Sequence, residues 1–255
     1  MNETWNQLAG TLSTTDWALF LLAAFLIGAA KAGIKGMGLL IVPVMAWVFG
    51  GKPSTGIVLP LLIIADIFAV SYYNRHAEWK YIWRLLPAAI AGVLLGVAVG
   101  EYLSGPVFTN MLAIIILVTL VLMIIQERSD WMAKRIKGWG PTSAFGFMGG
   151  FTTMVGNAAG PLMSVYLLGT RIPKYAFIGT GAWFFMLINV FKVPFHVFVW
   201  KTIDGSTLLL GLSSLPAIAL GILVGIKIVD RIPERGFRIF VMVMTTLIAI
   251  RLLIG

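Results

Sequence analysis

Two glycine-rich interruptions of apolar sequence carry most of the polar chemistry in this chain. The first reads Lys31-Ala32-Gly33-Ile34-Lys35-Gly36-Met37-Gly38; the second runs from Gly149-Gly150 through Thr152, Thr153, Gly156 and Asn157 to Gly160. Glycine lets a backbone turn and leaves amides uncovered. A helix restarting after such a break aims free N–H groups and its positive dipole end forward, which favours anions. Lys31 and Lys35 add charge, and Thr152, Thr153 and Asn157 add neutral donors. Two such tips meeting inside a bilayer predict a compact oxyanion pocket built from Lys31, Gly33, Lys35, Gly36, Gly38, Thr152, Thr153, Gly156 and Asn157. Two plainer readings stay open: the lysines obey a surface-charge rule, or the glycines are packing positions between helices.

Ionisable groups inside apolar runs are costly and rarely idle. Asp66 lies within Leu61–Val70, and the related region of the second half holds Asn189 and Lys192. Asp66 is either a static partner for a lysine or a group that gains and loses a proton during transport. His196 follows Lys192 and Pro194, which predicts a surface or gate position. Asn110 reads as a packing donor. Enzyme signatures are missing: there is no phosphate-binding loop, no paired metal-ligand histidines and no serine–histidine or paired-aspartate arrangement. Zero cysteines exclude disulfides and thiolate chemistry, and His76 and His196 stand too far apart for a metal centre. No enzyme activity, cofactor or metal is expected.

The elements that must position these residues are membrane helices. Apolar residues make up 59% of the 255 and charged residues 11%, against about 25% charged in a soluble domain; mean hydropathy is +0.95. Apolar segments fall near 55–73, 85–103, 107–125, 175–199, 207–229 and 237–253, long enough to cross a bilayer. Regions 17–49 and 144–168 are interrupted. The arms of the second are about 11–12 residues, too short to cross as straight helix, so a re-entrant hairpin is expected there. The first could hold two full spans instead. The net charge of +9 sits mainly in short loops, where it sets orientation rather than marking a nucleic-acid surface.

The chain also repeats itself. Leu86-Pro87-Ala88 leads to Gly92 and Gly96, and Leu215-Pro216-Ala217 leads to Gly221 and Gly225, 129 positions on (216 against 87). Gly36-Met37-Gly38 leads to Pro43 as Met154-Val155-Gly156 leads to Pro161. Internal symmetry of this kind is a pattern of secondary transporters. Basic loops (Arg75, Lys80 and Arg84; Arg128, Lys134, Arg135 and Lys137; Arg231, Arg235 and Arg238) are placed in the cytoplasm, opposite Ser104-Gly105-Pro106. The first half then starts outside and the second inside, so the repeats are inverted. The expected fold is an all-α polytopic membrane protein with roughly 8–10 membrane segments and its N-terminus outside. Residues 1–16 form an extracytoplasmic tail without the basic region of a cleaved signal, 17–126 the first repeat, 127–140 a cytoplasmic amphipathic connector and 141–255 the second repeat.

At these same breaks the chain resembles the sulfite exporter TauE/SafE family of membrane permeases. The matching stretches are Lys31–Pro43 with Gly50-Gly51-Lys52-Pro53, and Gly146–Pro161 with Gly169-Thr170-Arg171-Ile172-Pro173; the Leu-Pro-Ala…Gly…Gly repeat fits as well. The resemblance implies a multi-pass permease of the bacterial inner membrane that exports small sulfur anions, sulfite or organosulfonates, driven by an ion gradient. Its partners would be that anion and the lipid bilayer; a homo-oligomer stays open. The rival reading is an anion channel using the same constriction.

Overall fold

The computed structural model describes residues 12–32, 37–128, 138–228 and 234–254. Among them are eleven α-helices and no strand. In the first half these are α1 (Thr14–Lys31), α2 (Met37–Phe49), α3 (Gly51–Tyr73), α4 (Trp79–Tyr102) and α5 (Gly105–Arg128). The second half comprises α6 (Trp139–Gly156), α7 (Gly160–Gly169), α8 (Lys174–Pro194), α9 (Gly205–Ser213), α10 (Leu215–Ile228) and α11 (Glu234–Ile254). Five stretches are long and apolar enough to cross a membrane: α1, α3, α4, Gly105–Leu122 and Tyr175–Val199; α9 with α10, bent by 42°, makes a sixth. The protein is a polytopic helical membrane protein. The tail over 1–11, Gly33, Lys35 and Gly36 of the first break, and 129–137 of the expected connector lie outside the described residues.

The two most extensive helix pairings are α4 with α6 and α1 with α10. Each joins the first helix of one half to the Leu-Pro-Ala helix of the other. Small residues permit this, since close backbone approach gives helices in lipid much of their mutual attraction. A Cβ on Gly92 would collide with the Phe147 carbonyl, and one on Gly221 with the Phe25 carbonyl. In return, Gly150 lies against the Ala89 carbonyl and Gly28 against that of Ile218. All these contacts share one register, in which first helices correspond at an offset of 122 (150 against 28) and Leu-Pro-Ala helices at 129 (218 against 89). Within each pair the numbering rises together: Gly92 meets Phe147 and Phe151, and Gly96 meets Met154. The paired helices are parallel.

The third helices of the two halves, α3 and α8, run in opposite directions. Tyr73 lies by Gly179, Asp66 by Asn189 and Gly56 by Thr202. This crossing carries the polar residues considered below.

Several boundaries differ from the sequence expectation. α6 has 18 residues and α7 has 10, rather than two arms of 11–12. Gly149 and Gly150 do not break α6, and Gly146 and Gly150 are where α4 presses onto its backbone. The interruption is only Asn157-Ala158-Ala159, with Asn157 in the left-handed region at φ 53°, a conformation asparagine tolerates better than most residues. In the first region α1 is 18 residues and α2 is 13; at about 1.5 Å per residue α2 falls well short of a ~30 Å hydrocarbon core.

Pro87 lies inside α4. At Pro216 the helix does divide. There Ser213 Oγ donates to the Leu210 carbonyl and Ser214 Oγ to that of Gly211, both at 2.7 Å. The hydroxyls satisfy carbonyls that the bend releases. The corresponding first-half residues, Arg84 and Leu85, bring no such hydroxyls.

Candidate functional site

α1 ends on Lys31, whose ammonium approaches Asp66 Oδ1 at 2.5 Å on α3 and lies 4.6 Å from the Phe185 ring centre. Asp66 is fully buried, and its Oδ2 accepts a 2.7 Å hydrogen bond from Asn189 Nδ2 on α8. One carboxylate thus ties together the end of α1, the middle of α3 and the middle of α8. Lys31 retains 17% of its side-chain exposure, so this end of the pair is reachable.

One turn past Asn189, Lys192 is also fully buried. Its ammonium donates to the Thr153 carbonyl at 2.9 Å, Thr153 Oγ1 at 3.1 Å and Asn157 Oδ1 at 2.6 Å. An ammonium has three N–H donors, and all three are matched here by neutral oxygens at the C-terminal end of α6. That is the negative end of the helix dipole, where a cation is favoured. Asn157 completes the junction by donating Nδ2 to the Thr55 carbonyl of α3 at 3.2 Å. Its left-handed backbone turns the side chain back across the helix end.

The structure therefore brings Lys31, Asp66, Asn189, Lys192, Thr153 and Asn157 into one connected polar region at the α3–α8 crossing. Thr152 stands apart from it. Its hydroxyl donates to the Met148 carbonyl at 2.8 Å, and the side chain lines an apolar groove of about 300 Å³ with Leu95, Ile114 and Phe147. Gly156 packs against Leu112, while Gly38 opens α2 with free space over its Cα.

Sequence reasoning placed the chemistry at amides of restarting helices. Among the described residues, the side-chain contacts lie at the C-terminal ends of α1 and α6. The sequence also predicts a surface or gate position for His196. The residue is fully buried because a π turn (Phe195–Val199) after Pro194 carries it inward and the next residues fold over it. Thr202 N–H bonds the His196 carbonyl at 2.8 Å, and Trp200 Nε1 reaches the Val97 carbonyl at 3.1 Å. The His-Val-Phe-Val-Trp run gives no period from which that turn could be read. Asn110 is exposed on α5.

Among the described residues, eleven helices with buried charges at the α3–α8 crossing define a polytopic membrane protein. A family model described as sulfite exporter TauE/SafE matches residues 20–252, nearly the whole chain. The chain belongs to the sulfite exporter TauE/SafE family, whose members are membrane transporters. Neither curated proteins nor solved structures give a match.

Proposed function

We propose that this protein is a secondary transporter of the bacterial inner membrane that exports a small sulfur oxyanion, sulfite or an organosulfonate, by alternating access coupled to an ion gradient. The observation that carries the reading is Lys192: a fully buried lysine held by three neutral oxygens, with no carboxylate in ion-pair contact among the described residues. A lysine at the centre of a membrane helix costs about 2.5–3.5 kcal/mol on insertion scales. Retaining one without a direct counter-charge makes sense where a mobile anion supplies it. Lys31, Lys192 and Asp66 together hold two formal positive charges and one negative. At an effective dielectric of about 20, an anion 4 Å from one ammonium gains about 4 kcal/mol, against about 1 kcal/mol in water.

The repeat arrangement supports alternating access. α3 and α8 cross in opposite directions, while α1 pairs in parallel with α10 and α4 with α6. Two inverted halves with the N-terminus outside account for both facts and for the basic loops. Rocking of one half on the other would expose the crossing to each side in turn.

The test is flux of sulfite, sulfate, thiosulfate and a sulfonate from liposomes containing the purified protein, with and without a pH gradient. Saturable, gradient-driven sulfite efflux is expected. Conductance far above carrier turnover would replace the carrier with a channel, and failure to move any of the four anions would end the proposal.

A further inference from the structure

His196 lies one turn beyond Lys192 on the same helix and belongs to none of the contacts described for the lysine–carboxylate region. Its two ring nitrogens are in opposite situations. Nδ1 is 2.8 Å from Thr202 Oγ1. Nε2 is buried and has no hydrogen-bond partner. A buried polar atom in that state costs about 1–3 kcal/mol, so it calls for a ligand.

Which ring nitrogen donates follows the tautomer. The Thr202 hydroxyl has one hydrogen to donate, and among the described residues its only hydrogen bond is to His196 Nδ1. With the hydroxyl donating, Nδ1 is the acceptor and the ring hydrogen sits on Nε2. A doubly protonated ring would carry a hydrogen on Nε2 as well. In both these states the unsatisfied atom is a donor; in the other neutral tautomer, with Nδ1–H donating to Thr202 Oγ1, it is an acceptor.

Its surroundings select the kind of acceptor. The charged groups bearing on the ring are Lys192 and Lys52, both cationic. Lys52 stands 5.1 Å over the Trp200 ring, which meets the imidazole edge to face at 5.0 Å. A π turn inside a helix often marks a functional site, and this one carries the buried imidazole four residues past Lys192. A donor between two cations fits an anion.

We infer that His196 Nε2–H is a ligand of the transported oxyanion, taken up next to Lys192 and fixed in its donor form by the Thr202 hydroxyl. The inference rests on the anion-permease reading above. It adds a second donor station, beyond the lysine–carboxylate region along α8, that specifies an acceptor-rich oxyanion rather than any anion of similar size.

The chain has only two histidines, His76 and His196, so the wild-type protein can be tested without first altering the site. Protein carrying ¹⁵N-histidine in nanodiscs is titrated with sulfite while binding is followed by calorimetry; His76→Asn assigns the signals. The His196 Nε2 resonance is expected to shift with the same saturation as the heat. Binding that saturates with that resonance unmoved overturns the inference and leaves the permease reading standing. Absence of any sulfite binding overturns both. His196→Phe keeps a ring without the donor and is expected to weaken sulfite binding by about tenfold or more, the worth of one hydrogen bond to a charged group. Thr202→Val lets the ring proton move to Nδ1, so it should weaken binding several-fold without touching the anion. Unchanged affinity in both folded variants would also defeat the proposal.

Discussion

Lys31 and Thr153 occupy corresponding positions in the two halves, 122 residues apart in the register set by Gly28 and Gly150. Each sits at the end of a helix that meets the α3–α8 crossing, but the polarity is reversed. Lys31 delivers a positive charge to Asp66 on α3, whereas Thr153 receives one from Lys192 on α8. Lys31 at one break and the Thr/Asn pair at the other are therefore complementary halves of one junction. Asn189 bridges them, bonded to Asp66 and one turn from Lys192.

The Lys31–Asp66 pair predicts a non-additive stability pattern. Removing one member of a buried ion pair strands the other, at about 3–5 kcal/mol. Lys31→Met should lower stability by that order, because Asp66 has no exposure at all. Lys31→Met with Asp66→Asn should recover most of the loss. Denaturant or thermal unfolding of the detergent-solubilised proteins measures both; additive losses would mean that the two groups do not stabilise each other.

Asp66 is also the group through which a proton could enter the cycle. An anion that takes Lys31 leaves a fully buried carboxylate without its partner, which is costly, and a proton removes that cost. Asp66→Asn is expected to retain downhill sulfite exchange while losing the response to an imposed pH gradient. Full pH-driven flux in this variant would eliminate Asp66 as the titrating group.

For anion binding itself, Asn157→Ala removes the closest oxygen on Lys192 and the bond to the Thr55 carbonyl together. Sulfite affinity is expected to fall by about tenfold, since the α6 end would no longer hold Lys192 in place. Calorimetric titration of the folded variant reads this directly. Lys192→Met should abolish binding, and unchanged affinity in both would remove the crossing as the site.

Helix identity was legible because it rests on spacing: apolar runs show as hydropathy. The duty of the glycines was less legible. A glycine that lets a neighbouring backbone approach and one that ends a helix look alike in sequence, and Gly149-Gly150 was read as a break although α6 continues through it. Asp66, Asn189 and Lys192 stood out because charge is rare in such runs, but their partners lie on other helices and could not be ranked. The burial of His196 was not legible, since a π turn depends on what the following loop packs against.

The packing duty can be tested by contrast. Gly150 sits hard against the Ala89 backbone, whereas nothing lies within 4 Å of a Cβ placed on Gly38. Gly150→Leu must separate α4 from α6, and overpacking typically costs about 1–3 kcal/mol or more. Gly38→Ala meets open space and should leave stability within about 0.5 kcal/mol. Thermal unfolding of the two variants decides, and equal effects would contradict the duplicated register.

Orientation is the remaining relationship on which the inverted arrangement depends, and a cysteine-free chain makes it accessible. Ser104 and Lys80 are both exposed, at opposite ends of α4. With basic loops in the cytoplasm, Ser104→Cys should react with an impermeant maleimide on intact cells, and Lys80→Cys only after permeabilisation. The reverse pattern would turn the molecule over. Labelling of both from one side would mean that α4 does not cross the bilayer, and the inverted halves would then have to be abandoned.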